Sequence, residues 1–205
     1  MTEFAVFADM LDVDLLGGVG DAARKRAASQ ALNKVARDAR AQAAKAIREQ
    51  VNLPASYVAP AQRRLWVSKN ATPGSLESKV SAQGRATSLA RFVTGPARPG
   101  KAGVYVEVKP GAARFMKRAF LIRLPSGTNP VTDTQFNLGL AIRLRPGETL
   151  QNKMAARRVE NGLYVLFGPS VSQVFRDNSG DGVANQIAPK AARDLESEFL
   201  RLLGL

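Results

Sequence analysis

The most informative segment of the chain is residues 21–51, DAARKRAASQALNKVARDARAQAAKAIREQV. Apolar residues recur in it every three or four positions, and it contains neither Gly nor Pro, which is the pattern of an amphipathic α-helix. Asp21 is a suitable N-cap. Because the apolar stripe is mostly alanine, it allows close approach, so we expect it to pack on a sheet or on another subunit. The stripe consists of Ala28, Leu32, Val35, Ala39, Ala43, Ile47 and Val51.

After this helix the period of the apolar residues changes from 3.6 to 2. A connector between Pro54 and Pro60 comes first, and the residues beyond it alternate as they do in strands. Turns rich in Gly, Pro, Asn and Ser separate these segments, so a mainly antiparallel sheet is predicted. A short apolar run at 4–8 predicts an edge strand near the start. The other predicted strands are 64–68, 75–82, 88–93, 103–108, 119–124, 139–144 and 163–167.

Two helices are predicted at the C-terminal end. Ser170, with Gln173 at capping-box spacing, begins a short one, and the last runs from about Pro189 to Leu203. The expected fold class is α+β, with a long N-terminal amphipathic helix and a C-terminal helix packed on a mainly antiparallel β-sheet.

The length of 205 residues suits a single domain, and no internal repeat or linker interrupts the chain. We therefore predict one α+β domain over residues 1–205. Its parts are an N-terminal arm (1–20), the long helix (21–51), a β-rich middle (63–168) and C-terminal helices (170–205).

The chain contains no Cys and no His. This composition excludes disulfides, thiolate and imidazole metal sites, Cys nucleophiles and His general bases. Glu77, Glu107, Glu148 and Glu160 are scattered among basic residues, where carboxylates are expected to form ion pairs instead of acting as catalysts. We predict that the protein is not an enzyme and uses no metal or cofactor.

Two short motifs resemble ligand sites. Residues 18–23 match G-x-G-x-x-A, but the helix after them is about thirty residues long and an antiparallel sheet follows, so a flexible hinge is the preferred interpretation. Residues 177–182 resemble the first half of a calcium loop. The twelfth position of such a loop requires Glu and here is Ala188, so a solvated turn is predicted.

The net charge is +13, from 30 Lys and Arg against 17 Asp and Glu. The excess lies between residues 21 and 130, whereas residues 1–20 contain four acids and no base. A nucleic acid, an acidic partner or the acidic end of a neighbouring copy would each suit this pattern. No aromatic pair at the spacing of an RNA-stacking sheet motif is recognised, which favours phosphate contact without base reading. The candidate DNA-channel or subunit-interface residues are Arg24, Lys25, Arg26, Arg63, Arg64, Lys117, Arg118, Arg157 and Arg158.

The order of three segments resembles a known family. Ala-Leu-Asn-Lys-Val-Ala-Arg at 31–37, Ala-Phe-Leu-Ile at 119–122 and Leu-Phe-Gly-Pro-Ser-Val at 166–171 look like the minor tail protein Z family of tailed bacteriophages and prophages. The resemblance extends from about residue 25 to residue 200. It implies a virion structural protein, a tail-completion or neck component that forms a ring at the head-proximal end of the tail around the DNA channel.

The resemblance also implies the partners. These are copies of itself in a hexameric ring, neighbouring proteins such as the tail terminator, tail tube or connector, and the DNA in the channel. The family has no catalytic residues to carry over, and a terminator role is left open. The first twenty residues are unlike a signal peptide and no run approaches 18 apolar residues, so we expect no membrane contact and assembly in a bacterial cytoplasm. The alternative hypothesis is a basic, sequence-nonspecific nucleic-acid-associated cytoplasmic protein.

Overall fold

A computed structural model of the protein describes residues 2–7, 20–124, 138–150, 155–160, 162–176 and 182–205. Its contacts divide the chain into two compact units. Unit 1 comprises Met1–Arg48, Pro54–Gly84 and Val171–Leu205, and unit 2 comprises Glu49–Leu53 and Arg85–Ser170. The single-domain organisation stays a prediction.

The described residues of unit 1 form three strands, three α-helices and two short 3₁₀-helices, Ala55–Val58 and Pro60–Gln62. The strands form one antiparallel sheet in the order β1-β3-β2, in which Val80 pairs with both Phe4 and Val67. The predicted edge strand near the start is therefore confirmed. The elements are β1 (Thr2–Phe7), α1 (Asp21–Gln50), β2 (Leu65–Lys69), β3 (Glu77–Ala82), α2 (Val171–Phe175) and α3 (Val183–Leu203).

The long helix α1 buries its predicted alanine-rich stripe. Every stripe position from Ala28 to Ile47 is at most 4% exposed, and Val51, just beyond the helix, is 5% exposed. Asp21 is the first residue of the helix, so its predicted role as N-cap is wrong. The carbonyl of Gly20 instead accepts the N–H groups of Ala23 and Arg24, at 3.0 and 3.1 Å. An acid in the first turn still suits the positive end of the helix dipole.

The described strands of unit 2 form two antiparallel sheets in place of one continuous sheet. The larger has the order β10-β11-β9-β8, with β4 paired to β11, and the smaller has the order β5-β6-β7. A mainly antiparallel architecture is thus confirmed, and the chain is α+β. The strands are β4 (Thr87–Ser88), β5 (Val93–Thr94), β6 (Val104–Val106), β7 (Arg114–Met116), β8 (Ala119–Arg123), β9 (Leu138–Arg143), β10 (Ala156–Glu160) and β11 (Leu163–Gly168).

The strand predicted at 88–93 is wrong. Leu89–Phe92 is a 3₁₀-helix between the short strands β4 and β5. A 3₁₀ turn aligns residues three apart, so Leu89 and Phe92 both reach the backbone of Gly168, which their alternation in a strand would prevent. The sequence analysis also missed β7 and β10, because these strands are basic and largely exposed and lack an apolar alternation.

The last helix begins six residues earlier than predicted. Val183 and Ile187, one helical turn apart, are 0% and 6% exposed, so they extend the buried face of α3 toward the N-terminus. Pro189 therefore lies inside the helix, and its pyrrolidine ring is on the exposed side. The predicted end is confirmed: Gly204 takes a positive φ of 79°, and Leu205 N–H donates to Leu200 C=O at 3.1 Å, which closes the helix.

Candidate nucleic-acid and subunit interfaces

The nine predicted interface residues lie on four separate segments. Arg24, Lys25 and Arg26 occupy the first two turns of α1, and Arg63 and Arg64 precede β2, all in unit 1. Within unit 2, Lys117 and Arg118 form the turn between β7 and β8, and Arg157 and Arg158 lie on β10. Since Arg157 and Arg158 are neighbours in a strand, their side chains leave opposite faces of the sheet.

The cluster at the start of α1 is partly neutralised. Lys25 Nζ lies 2.6 Å from Asp21 Oδ2, and this hydrogen bond lowers the pKa of the Asp21 carboxyl group. Arg24 is half-buried, whereas Arg26 is exposed. Arg26 is therefore the member of this cluster that is best placed to meet a partner.

Arg118 is engaged within unit 2. Its two terminal nitrogens donate to the two carboxylate oxygens of Glu148 at 2.9 and 2.8 Å, and one of them also donates to Arg143 C=O at 2.7 Å. The bond from Arg118, together with the one from the Arg145 N–H, lowers the pKa of Glu148 to about 2. Arg118 thus holds the loop after β9, and its neighbour Lys117 is exposed without an ion pair to a described residue.

The glutamates that were weighed as catalytic groups form structural contacts. Glu77 pairs with Lys69 and with Lys79, and both lower the pKa of its carboxyl group. The predicted ion pairing is therefore confirmed for Glu77 and for Glu148. Glu107 Oε1 accepts the N–H of Gly111 at 2.8 Å. The Glu160 side chain, Gly18 and Val19 of the G-x-G-x-x-A motif and residues 177–181 of the calcium-like turn lie outside the described residues.

A basic groove lies in unit 1, between α1 and the segment that leads into β2. We call it the arginine groove; it is lined by Arg37, Arg40, Arg63, Trp66 and Ser68, among others, and has a volume of about 680 Å³. Arg37 and Arg40 are three residues apart and so share one face of α1, and Trp66 and Ser68 are two apart and share one face of β2. Among the described residues that line it, none is acidic.

The three guanidinium groups of the arginine groove differ in their exposure and in their hydrogen-bond partners. Arg40 is half-buried and fixed, because its Nε donates to Leu65 C=O at 3.1 Å and a terminal nitrogen donates to Val58 C=O. Burial lowers the Arg40 pKa, but arginine stays cationic at neutral pH. Arg37 and Arg63 are exposed and form no hydrogen bond or ion pair with the described side chains. The groove therefore holds one fixed cation, Arg40, and two exposed cations without a partner among the described side chains.

The conformation of Arg63 explains its place in the groove. It ends the 3₁₀-helix Pro60–Gln62 with a left-handed φ of 47°, and its N–H donates to Pro60 C=O at 3.1 Å. The next residue, Arg64, turns to other partners: its guanidinium carbon lies 4.1 Å from the centre of the Tyr57 ring, and it donates to Gln83 Oε1 at 3.0 Å. The predicted Arg63-Arg64 pair therefore divides into a groove residue and a packing residue.

An exposed aromatic pair lies in unit 2, where the sequence analysis recognised none. Tyr105 on β6 is the register partner of Phe115 on β7, and their ring centroids are 4.9 Å apart. The two side chains are 54% and 55% exposed, although large aromatic residues are usually covered. They are ten positions apart in sequence, so only the antiparallel pairing of β6 with β7 brings them together.

Within the described ranges, no three His, Cys, Asp or Glu side chains are grouped so as to hold a metal ion, and no helix is both long and apolar enough to cross a bilayer. The candidate surfaces on the described residues are the arginine groove and the Tyr105–Phe115 pair. Comparisons with protein-family models, with curated proteins and with solved structures found no match for the chain.

Proposed function

We propose that the protein is a structural component of a phage virion, which assembles with copies of itself as a tail-completion or neck ring around the DNA channel. The residues through which the chain resembles the tail protein Z family support this proposal, because they hold elements of the fold together and perform no chemistry. Asn33, from the first segment, joins α1 to Ala71 by two hydrogen bonds, and Gly168, from the last, packs against Phe92. A resemblance carried by such residues concerns the frame of the fold.

The observation that carries the proposal is the exposed Tyr105–Phe115 pair. Exposed aromatic residues are typical of protein interfaces, and this pair lies at the β7 end of the small sheet. The occupant we propose is a neighbouring copy. The flanking Lys101 and Lys117 are exposed cations, and residues 1–20 of another copy carry four acids, so the charges are complementary. A closed ring needs two different complementary surfaces on each subunit.

Particle composition tests the virion role directly. Quantitative mass spectrometry on purified phage or induced-prophage particles, with copies counted against the portal ring, is expected to find about one ring of this chain per particle. Absence from the particles, with abundant protein in the lysate, would contradict the proposal.

A double substitution tests the proposed subunit surface. Tyr105→Ser with Phe115→Ser is expected to weaken self-association by about tenfold or more in analytical ultracentrifugation, because buried aromatic residues dominate interface energies. Val159→Ser is the control, since Val159 is also exposed, at 46%, but has no aromatic partner. Unchanged association of the double variant would rule out this surface as the contact.

The arginine groove favours the second candidate function, a sequence-nonspecific nucleic-acid-associated protein. Filter binding with nucleic acid is expected to show an affinity that falls steeply with salt, since counterions are released from the phosphates. A ring protein around a DNA channel would share this behaviour, so particle composition is the measurement that separates the two candidates.

A further inference from the structure

We propose that the arginine groove is a binding site for single-stranded nucleic acid, in which Arg37 and Arg63 hold backbone phosphates and Trp66 stacks on a base. The inference rests on the second candidate function, nucleic-acid association, and does not depend on ring assembly. It assigns a ligand class to Arg37, Arg40 and Trp66, residues that the charge clusters of the sequence do not point to.

The charges of the groove suit a phosphate chain. Three guanidinium groups line a volume of about 680 Å³, and none of the described residues around it contributes a carboxylate. Arg40 is held in place by two backbone carbonyls, so its positive charge is preorganised, and binding does not cost the ordering of that side chain. Arg37 and Arg63 have no partner among the described residues, so a phosphate would replace only water around them.

Trp66 and the size of the groove select a single strand. Trp66 is half-buried in the wall, and an indole ring offers a stacking surface to any base whose own face is free. In a duplex the bases are stacked on one another and turned inward, so they cannot reach the wall of a pocket. A volume of about 680 Å³ lies in the range that holds a small organic ligand, and hence one or two nucleotides of a strand.

The same stacking makes the site easy to observe. Trp66 is the only tryptophan of the chain, so a change in tryptophan fluorescence reports on the groove alone. The probe is a ten-nucleotide oligothymidylate. Its Kd is measured by the anisotropy of a fluorescein label, and its place of binding is measured by quenching of Trp66.

We expect the oligothymidylate to bind and to quench Trp66. Arg37→Gln with Arg63→Gln should raise the Kd at least about tenfold and reduce the slope of log K against log salt by about 1.4, which is the share of two phosphate contacts on a single strand. Trp66→Phe should raise the Kd by about fivefold or more, because a smaller ring stacks less well.

The matched control is Arg98→Gln with Arg123→Gln, which removes the same charge from two exposed arginines of unit 2. The Kd of this control is expected to stay within about twofold of wild type, because salt screens the attraction between these distant charges and the oligonucleotide. Far-UV circular dichroism and thermal melting establish that each variant is folded. Since Arg37 and Arg63 have no partner among the described side chains, their loss should leave the melting temperature unchanged.

Several results would overturn the proposal. One is an unchanged Kd in the groove variant, and another is an equal loss of affinity in the control variant. The others are oligothymidylate binding without quenching of Trp66, and tighter binding of a duplex of the same length. Thymidine monophosphate or inorganic phosphate binding as tightly as the oligonucleotide would assign the groove to a free anion and not to a strand. Analytical ultracentrifugation of the groove variant separates this proposal from that of ring assembly. The variant should self-associate as wild type does even if it no longer binds the oligonucleotide.

Discussion

Asn33 shows how a single polar side chain fixes the position of the long helix. Its Nδ2 donates to Ala71 C=O at 2.9 Å, and its Oδ1 accepts the Ala71 N–H at 2.7 Å, so the side-chain amide pairs with the main chain as a neighbouring strand would. Ala71 is 5% exposed and has little access to water. The amide therefore satisfies two backbone groups that the alanines around it on α1 could not.

We predict that Asn33→Ala lowers the free energy of unfolding by about 1–3 kcal/mol, because it leaves two poorly hydrated backbone groups without partners. Urea unfolding followed by circular dichroism measures the change. Asn70→Ala is the control, since Asn70 is exposed and hydrogen-bonds to none of the described residues. Equal stability of the Asn33 variant and wild type would contradict this account.

Gly168 is required because a side chain would collide with its neighbours, and not because its backbone has a conformation that favours glycine. A Cβ at this position would lie 2.8 Å from Phe92 Cε2 and 3.3 Å from Leu89 Cδ1, and Phe92 is 1% exposed. The packed ring has no space to retreat into. The Gly-Pro-Ser-Val segment thus begins at the point where β11 meets the 3₁₀-helix of unit 2.

Gly168→Ala is therefore expected to lower the free energy of unfolding by about 1–3 kcal/mol, the usual cost of overpacking. Gly74→Ala provides the comparison, since a Cβ there meets nothing within 4 Å and should change stability by less than about 0.5 kcal/mol. If both variants unfold at the same denaturant concentration, the close packing on Phe92 has no energetic role.

At the scale of elements, Glu198 joins the two long helices of unit 1. Its side chain is 9% exposed and accepts hydrogen bonds from Arg201 at 3.0 and 2.7 Å, and Lys34 of α1 lies 3.4 Å away. The bonds from Arg201, followed by Lys34, lower the pKa of the Glu198 carboxyl group to about 2. A carboxylate at the buried side of α3 is stable because both helices supply cations to it.

This lowered pKa predicts an acid-dependent contribution to stability. Because the pKa is lower in the folded chain than its ordinary value of 4.5, the contribution is complete above about pH 4.5 and is lost as the pH falls toward 2. Glu198→Gln should lower the urea midpoint at pH 6, and the difference from wild type should shrink between pH 4.5 and pH 2. Glu196→Gln, an exposed change on the same helix, should have no such effect. A difference that stays constant down to pH 2 would refute the role of the carboxylate charge.

At the scale of the whole molecule, positive charge is unevenly used. Arg40, Arg64 and Arg118 are committed to contacts within their own units, whereas Arg26 and Lys117 are exposed without ion pairs to described residues. The net charge of +13 therefore overstates the charge that is free to meet a partner, and the exposed cations are the ones to test.

If neighbouring copies meet through opposite charges, reversal at the start of α1 should weaken the assembly. We expect Arg24→Glu, Lys25→Glu and Arg26→Glu together to reduce self-association in sedimentation velocity, and to do so less at high salt, where the attraction is screened. Arg85→Glu, Arg98→Glu and Arg123→Glu change the net charge equally, at exposed positions of unit 2 that belong to neither proposed contact. The idea fails if the first variant sediments like wild type, or if the second loses as much.

Much of the fold could be predicted because its signals are local. The stripe from Ala28 to Ile47 repeats with the helical period, the strand around Val80 alternates, and the one around Leu121 is a short apolar run, so these residues indicate their own secondary structure. The prediction failed where tertiary contacts override local pattern. Phe92 lies in a 3₁₀ turn, which packs its ring near Gly168. The buried Val183 is the first residue of α3, so the helix begins before Pro189 and the proline lies inside it.

The candidate sites were less predictable for a related reason. Clusters such as Arg63-Arg64 are visible in the sequence, but only one member faces the arginine groove, and Arg118 is occupied by Glu148. Arg37 has no basic residue next to it in the sequence, so it belongs to none of the charge clusters that the sequence shows. Burial and ion pairing decide which cations remain available, and both are settled by partners distant in the chain.

The sequence by itself determined the α+β class, the long helix, most strands and the absence of Cys and His chemistry. Tertiary structure alone decided that the strands form separate sheets, that Tyr105 meets Phe115, and that Arg37 and Arg40 come beside Arg63 and Trp66. The physical reason is that periodicity states which face of its own element a residue occupies. Which other element that face meets depends on contacts between segments far apart in the chain.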